Sequence, residues 1–146
     1  NLIYQNGYGD FPHKNAQWLT QGFGILLAGV EDSTVARNRV FNHPNAGITI
    51  GPFLDRNFWM PSGNRVVDNA VGGSGLGDLL LAGPALPGNC FEGNDPVHTM
   101  PPMLEFTQSC EGLRLPALYE VGSFASLFGR VLENGLGLDT DVDYRD

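Results

Sequence analysis

Short apolar runs closed by asparagine recur along this chain at nearly regular intervals. Asn64-Arg65-Val66-Val67-Asp68-Asn69 is followed 25 residues on by Asn89-Cys90-Phe91-Glu92-Gly93-Asn94. Asn38-Arg39-Val40-Phe41-Asn42-His43 has the same form 26 residues earlier, with histidine closing, and Asn1-Leu2-Ile3-Tyr4-Gln5-Asn6 repeats it at the start. A second kind of run alternates with these: Gly22 to Gly29, Gly47 to Gly51 and Leu76 to Gly83 are apolar stretches bounded by glycine. Ser33-Thr34-Val35-Ala36-Arg37 predicts one further strand before Asn38. Runs this short, repeated every 20 to 30 residues, predict a solenoid of strands and turns. No segment before Cys110 carries a sustained three-and-four apolar spacing, so helix is not expected there. Residues 123–134 differ, with Phe124, Leu127, Phe128, Val131 and Leu132 on one helical face. Ser123 is the expected N-cap and Asn134-Gly135 the expected stop.

The predicted organisation is therefore all-β. Residues 1–110 form solenoid coils, and residues 111–146 form a C-terminal cap with a short helix over 123–134 and an acidic tail. Two loops break the period, 7–21 and 52–63, and long loops on one face of a repeat fold are where binding is usually placed. The segment from Met100 to Cys110 is expected to enter the last coil through its Pro-Pro pair and to end as a strand. Asn1 opens inside a repeat, which leads to the expectation that further N-terminal coils of the same protein precede it.

Composition sharpens this picture. Twenty Gly, ten Pro and 146 residues suit one turn-rich domain rather than a helical one. A formal net charge of −8 disfavours nucleic acid and anionic membranes as partners. No 18-residue apolar run is present, so no membrane span is expected. The two cysteines, Cys90 and Cys110, lie 20 residues apart, nearly one coil, and are expected to form a disulfide in an extracellular protein.

The spaced asparagines resemble those of right-handed parallel β-helix proteins, the pectate-lyase-like superfamily, over residues 1–110. More narrowly, residues 55–66 and 88–94 look like bacterial secreted right-handed parallel β-helix repeat proteins. The resemblance implies a right-handed β-helix whose equivalent positions stack about 4.8 Å apart. On that reading Asn38, Asn64 and Asn89 form one amide ladder, and Asn6, His43, Asn69 and Asn94 another. Asparagine would serve at these turns because it tolerates left-handed backbone.

Two functional expectations compete. The first is a non-catalytic extracellular module binding polysaccharide or a protein partner through its loops, with Trp18, Asp55, Phe58 and Trp59 as contact residues. The second is a polysaccharide lyase or C5-epimerase acting on uronate polymers. Tyr8-Gly9-Asp10-Phe11-Pro12-His13-Lys14 looks loosely like the Tyr-Gly-Phe-Asp-Pro-His-Asp motif of alginate epimerases, with Phe and Asp transposed and Lys14 in place of the last Asp. Proton abstraction beside a uronate carboxylate needs a base, an acid and a neutralising cation, and Tyr8, His13, Lys14 and Arg56 are the candidates. An alternative for Asp55 and Arg56 is an ion pair that orders their loop. Asp68, Asp78 and Glu92 lie in or near neighbouring coils and are the one carboxylate set to inspect for pairing. The superfamily often binds Ca²⁺, yet Asp139, Asp141 and Asp143 complete no calcium motif, because Tyr144 replaces the needed Gly. No cofactor is expected, with Ca²⁺ left open without a complete motif to support it. The first expectation is preferred, because the strand faces read mainly as asparagine and apolar side chains.

Overall fold

Each three-residue strand of this chain places its middle residue inward, and that simple alternation builds the frame. The computed structural model describes residues 1–7, 22–96, 98–115 and 121–136. In chain order the strands are β1 (Leu2–Tyr4), β2 (Phe23–Ala28), β3 (Thr34–Ala36), β4 (Arg39–Phe41), β5 (Ala46–Gly51), β6 (Phe53–Leu54), β7 (Phe58–Trp59), β8 (Arg65–Val67), β9 (Ala70–Gly72), β10 (Gly77–Leu81), β11 (Cys90–Glu92) and β12 (Thr99–Met100). Two helices follow, α1 (Leu104–Thr107) and α2 (Val121–Leu136).

Three sheets are wholly parallel, with orders β12-β10-β5-β2, β11-β8-β3 and β1-β4-β9; among the described strands only β6 and β7 pair antiparallel. The chain visits the sheets in a fixed rotation: β2, β3, β4, then β5, β8, β9, then β10 and β11. This mainly parallel all-β arrangement with two helices is compatible with a solenoid. Val40, Val66, Val71 and Phe91 from the short strands meet Ile48, Ile50, Leu79 and Leu81 from the long sheet in one core. The long sheet is also covered on its other face, where Phe23, Ala46, Leu80 and Ala82 pack with Leu26, Met100 and Leu127 of α2. Burial on both faces explains why β5 and β10 read as continuous apolar runs rather than alternating ones.

The asparagine ladders exist, and Asn64 with Asn89, Asn69 with Asn94 and Asn6 with His43 stack as the sequence suggests, but the pairs join into different columns. Asn38 stacks on Asn69, not on Asn64: Asn69 Oδ1 accepts from the backbone N–H (3.0 Å) and Nδ2 (3.1 Å) of Asn38. Asn94 Oδ1 accepts the same pair from Asn69, and Asn1 Nδ2 donates to Asn38 Oδ1. The second column runs from Ser33 to Asn64 to Asn89. A third joins Asn6 to His43 and His43 to Ser74. Each motif ends in a ladder residue on both sides of a three-residue strand, so a slip of five residues still matches one asparagine. Strand pairing removes the ambiguity, since β3 lies on β8 and β4 on β9.

The backbone geometry also differs from expectation. Left-handed φ falls not on the ladder asparagines but on the residue before each: Asp32, Gly63 and Gly88 in one corner, Arg37, Asp68 and Gly93 in the next, Gln5, Asn42 and Gly73 in the third. Gly63 and Gly73 take this conformation without the strain a side chain would add, and a Cβ at either would press on the side-chain oxygen of Asp32 or Asn42. The asparagines serve by their amides alone, which lie within hydrogen-bonding reach of the circuits on either side.

Cys90 and Cys110 are bridged as expected, with Cα atoms 4.8 Å apart. The stretch before Cys110 does not form the expected strand. A single helical turn, α1, intervenes, and only Ser109 bridges to Phe91 of β11. Leu104 at the start of α1 is fully buried in the core, and this contact replaces a strand at that level. Helix α2 extends two residues beyond each expected end, running through both Ser123 and Asn134-Gly135. Of its apolar side chains Leu127 is packed, while Phe128 and Leu132 are exposed.

Among the described residues His43 is the one fully buried histidine. Its Nδ1 accepts from the Asn6 backbone N–H at 3.2 Å, and among the described residues its Nε2 has no partner. Burial pushes its pKa below the ordinary 6.5 against the opposing pull of backbone groups at Ile3 and Asn6. The unfolded chain therefore takes up a proton before the folded one, so this stability term is complete above pH 6.5 and is lost as pH falls below it. The drop in melting temperature between pH 7.5 and pH 5.5 is expected to be smaller in His43→Asn than in the unaltered protein. Equal slopes would show that His43 does not carry it.

Candidate functional site

The sequence Phe53-Leu54, Asp55-Arg56-Asn57, Phe58-Trp59 is two apolar pairs around a polar turn, and it folds as the β6–β7 hairpin. Residues 52–63 are thus not the irregular loop that their composition suggests. The Asp55 N–H donates to Asn57 carbonyl at 3.0 Å, and Phe53 pairs with Trp59, Leu54 with Phe58. Directly opposed residues share a face. The Phe53–Trp59 face leans on the end of β2, where a Cβ added to Gly29 would sit 2.6 Å from Trp59 Cβ and 3.1 Å from Phe53 Cβ. Gly29 has φ 63°, so both its conformation and its lack of a side chain let the hairpin dock. Leu54 and Phe58 face the other way and are 71% and 49% exposed; Trp59 remains 52% exposed.

Of the contact residues expected from sequence, Asp55, Phe58 and Trp59 are brought together here, with Arg56 at the tip. All four are exposed. The Asp55 carboxylate accepts from the backbone N–H of Arg56, so it orders the turn through the main chain. Tyr8, His13, Lys14 and Trp18 lie outside the described residues. Phe53 and Leu54 were missed as contact residues, although two apolar pairs flanking three polar residues is a hairpin signal.

The carboxylate set is divided between two sheets, with Asp68 N–H donating to Glu92 carbonyl at 3.1 Å and Asp78 in the other sheet. Asp78 is buried in β10 and accepts from the backbone N–H groups of Ser74 (3.0 Å) and His98 (3.1 Å), with His98 Nδ1 3.6 Å away. Asp68 sits exposed at the corner between β8 and β9, and Glu92 lies in β11. Among the described residues no three His, Cys, Asp or Glu side chains are grouped to hold a metal ion. No described helix is long and apolar enough to cross a membrane. An open depression of about 660 Å³ lies at the first circuit, lined by Leu2 to Asn6 and Gly24. Comparison with protein-family models, curated proteins and solved structures gave no match.

Proposed function

We propose that this chain is a non-catalytic, extracellular right-handed parallel β-helix module that binds polysaccharide through the β6–β7 hairpin. The observation that carries this reading is the hairpin itself: four exposed apolar side chains, two of them on a face turned away from the body. Aromatic rings offer flat apolar surface to sugar rings, and Asp55, Arg56 and Asn57 at the tip offer donors and acceptors to hydroxyls. The three parallel sheets visited in rotation, with amide columns at their corners, support the β-helix and its likeness to the pectate-lyase-like superfamily. The Cys90–Cys110 bridge supports an oxidising compartment.

Titration with neutral and uronate polysaccharides, followed by tryptophan fluorescence and calorimetry, tests the reading. Trp59→Ala is expected to weaken binding about thirtyfold, ~2 kcal/mol, as loss of an aromatic anchor does. No binding by any polysaccharide, with capture of a protein ligand on the same hairpin, would replace the sugar by a protein partner. The competing lyase reading predicts an unsaturated product absorbing in the ultraviolet that His13→Ala abolishes. The epimerase reading predicts solvent proton exchange at C5.

A further inference from the structure

Arg56 stands at the tip of the β6–β7 hairpin, exposed, and among the described residues its guanidinium has no ion pair or hydrogen-bond partner. Little holds the main chain around it. The Asp55 N–H donates to Asn57 carbonyl, the Asp55 carboxylate accepts from the Arg56 N–H, and the ladder is only two residue pairs long. Such a tip opens locally with ease, because few hydrogen bonds and little buried apolar surface are given up. The frame behind it does not open with it. Ser62 N–H donates to Val30 carbonyl and Leu86 N–H to Pro61 carbonyl, so the chain is back in step before β8 begins.

The other described arginines sit where the main chain is engaged. Arg37 N–H donates to Val67 carbonyl, Arg39 N–H to Asn1 carbonyl and Arg65 N–H to Ser33 carbonyl. The residue after each is held as well. Asn38 N–H donates to Asn69 Oδ1, and Val40 and Val66 are the buried centres of β4 and β8. Arg114 donates through its guanidinium to the Ser109 and Cys110 carbonyls, and the Leu115 N–H after it donates to Thr107 carbonyl. Arg130 lies inside α2. Proteases take loop tips in preference to such segments, because the substrate must offer its main chain free.

On the reading of this hairpin as the polysaccharide site, we propose that the Arg56–Asn57 bond is cut by an endoprotease whose primary pocket takes a guanidinium. The cut switches binding off and leaves the frame standing. Water adds across the peptide bond, the C–N bond breaks, and a carboxylate on Arg56 and an ammonium on Asn57 result; nothing is oxidised or reduced. The severed turn no longer sets Phe53 opposite Trp59 and Leu54 opposite Phe58, so the apolar surface disperses. Residues 1–56 and 57–146 stay together, since β5 pairs with β10, β3 with β8 and β4 with β9 across the cut. The Cys90–Cys110 bridge lies wholly within the second piece and does not tie the two.

The test treats the intact chain with a trace of trypsin and follows mass and polysaccharide binding together. The first product expected is heavier by one water and runs as a single body under native conditions. In denaturant without reductant it separates into residues 1–56 and 57–146. Its polysaccharide binding should be at least tenfold weaker than that of the uncut chain, as loss of an aromatic anchor implies, with the circular dichroism spectrum unchanged. Arg56→Gln should abolish this product. A first cut elsewhere, at Lys14 or at another arginine, or a chain that resists trypsin until denatured, would overturn the assignment of the site. A cut at Arg56 that leaves binding as it was, while Trp59→Ala still weakens it in the uncut chain, would overturn the switch and leave the polysaccharide reading in place. Absence of polysaccharide binding before any cut would remove that reading and the switch together.

Discussion

Replacing Asn69 by alanine should lower stability by roughly 3–4 kcal/mol, since it breaks a buried network and strands its partners. Asn69 is 1% exposed. Its Oδ1 accepts from two nitrogens of Asn38. Its Nδ2 lies 3.0 Å from both Val35 and Val67 carbonyls and 2.8 Å from Asn94 Oδ1. Alanine strands all of these groups out of reach of water. Asn69→Asp should be worse than alanine, because it turns a carboxylate oxygen toward three acceptors while burying charge. Chemical denaturation of the three proteins measures this ordering. An aspartate variant more stable than the alanine variant would show that the donor half of the amide is not what matters.

The second large effect concerns the bridge between Cys90 and Cys110. It closes a loop of 20 residues, for which restriction of the unfolded chain alone accounts for about 3 kcal/mol. The bridge also holds α1 and its buried Leu104 over the end of the core. A Cys90→Ala, Cys110→Ala double variant is expected to lose about that much stability. The loss should concentrate in faster hydrogen exchange at β11 and α1. A uniform change across all three sheets would argue that the bridge does not act locally.

Much of the frame was legible because its causes are local. The glycine-bounded runs became the long sheet, the asparagine-bounded runs became the short strands, and the apolar spacing after residue 122 became α2. Register was legible only in part: Asn64 with Asn89 and Asn69 with Asn94 pair as the spacing of 25 residues suggests, but Asn38 does not join the column of Asn64. Asn38 matches Asn64 as well as it matches Asn69 in type, and only the hydrogen-bonded neighbour of each strand separates the two. Helix α1 was missed because four residues are too few to show a helical period. For the site, Phe58 and Trp59 stood out by size, but their grouping with Phe53 and Leu54 depends on a two-residue strand pairing that composition hides. Of the carboxylates Asp68, Asp78 and Glu92, the first and last are neighbours in adjacent circuits, Asp68 N–H donating to Glu92 carbonyl, while Asp78 belongs to the long sheet and is fixed by backbone N–H groups.

The three corners of the frame also differ in how far they accept change in length. Residues 37–38 and 68–69 join β3 to β4 and β8 to β9, so that corner keeps its length, whereas the corner that holds residues 42–45 between β4 and β5 and 73–76 between β9 and β10 holds residues 5–22 between β1 and β2. The third corner holds residues 29–33, 52–64 and 82–89 in successive circuits. Even there the strands rejoin in step, with Ser62 N–H donating to Val30 carbonyl and Leu86 N–H to Pro61 carbonyl. This corner works as an open margin on which sequence can be written without disturbing the columns beside it. Insertions in separate circuits fall side by side along it, so a recognition surface can be enlarged or exchanged in pieces, and engineered loops grafted at residues 53–59 should leave the core as it is.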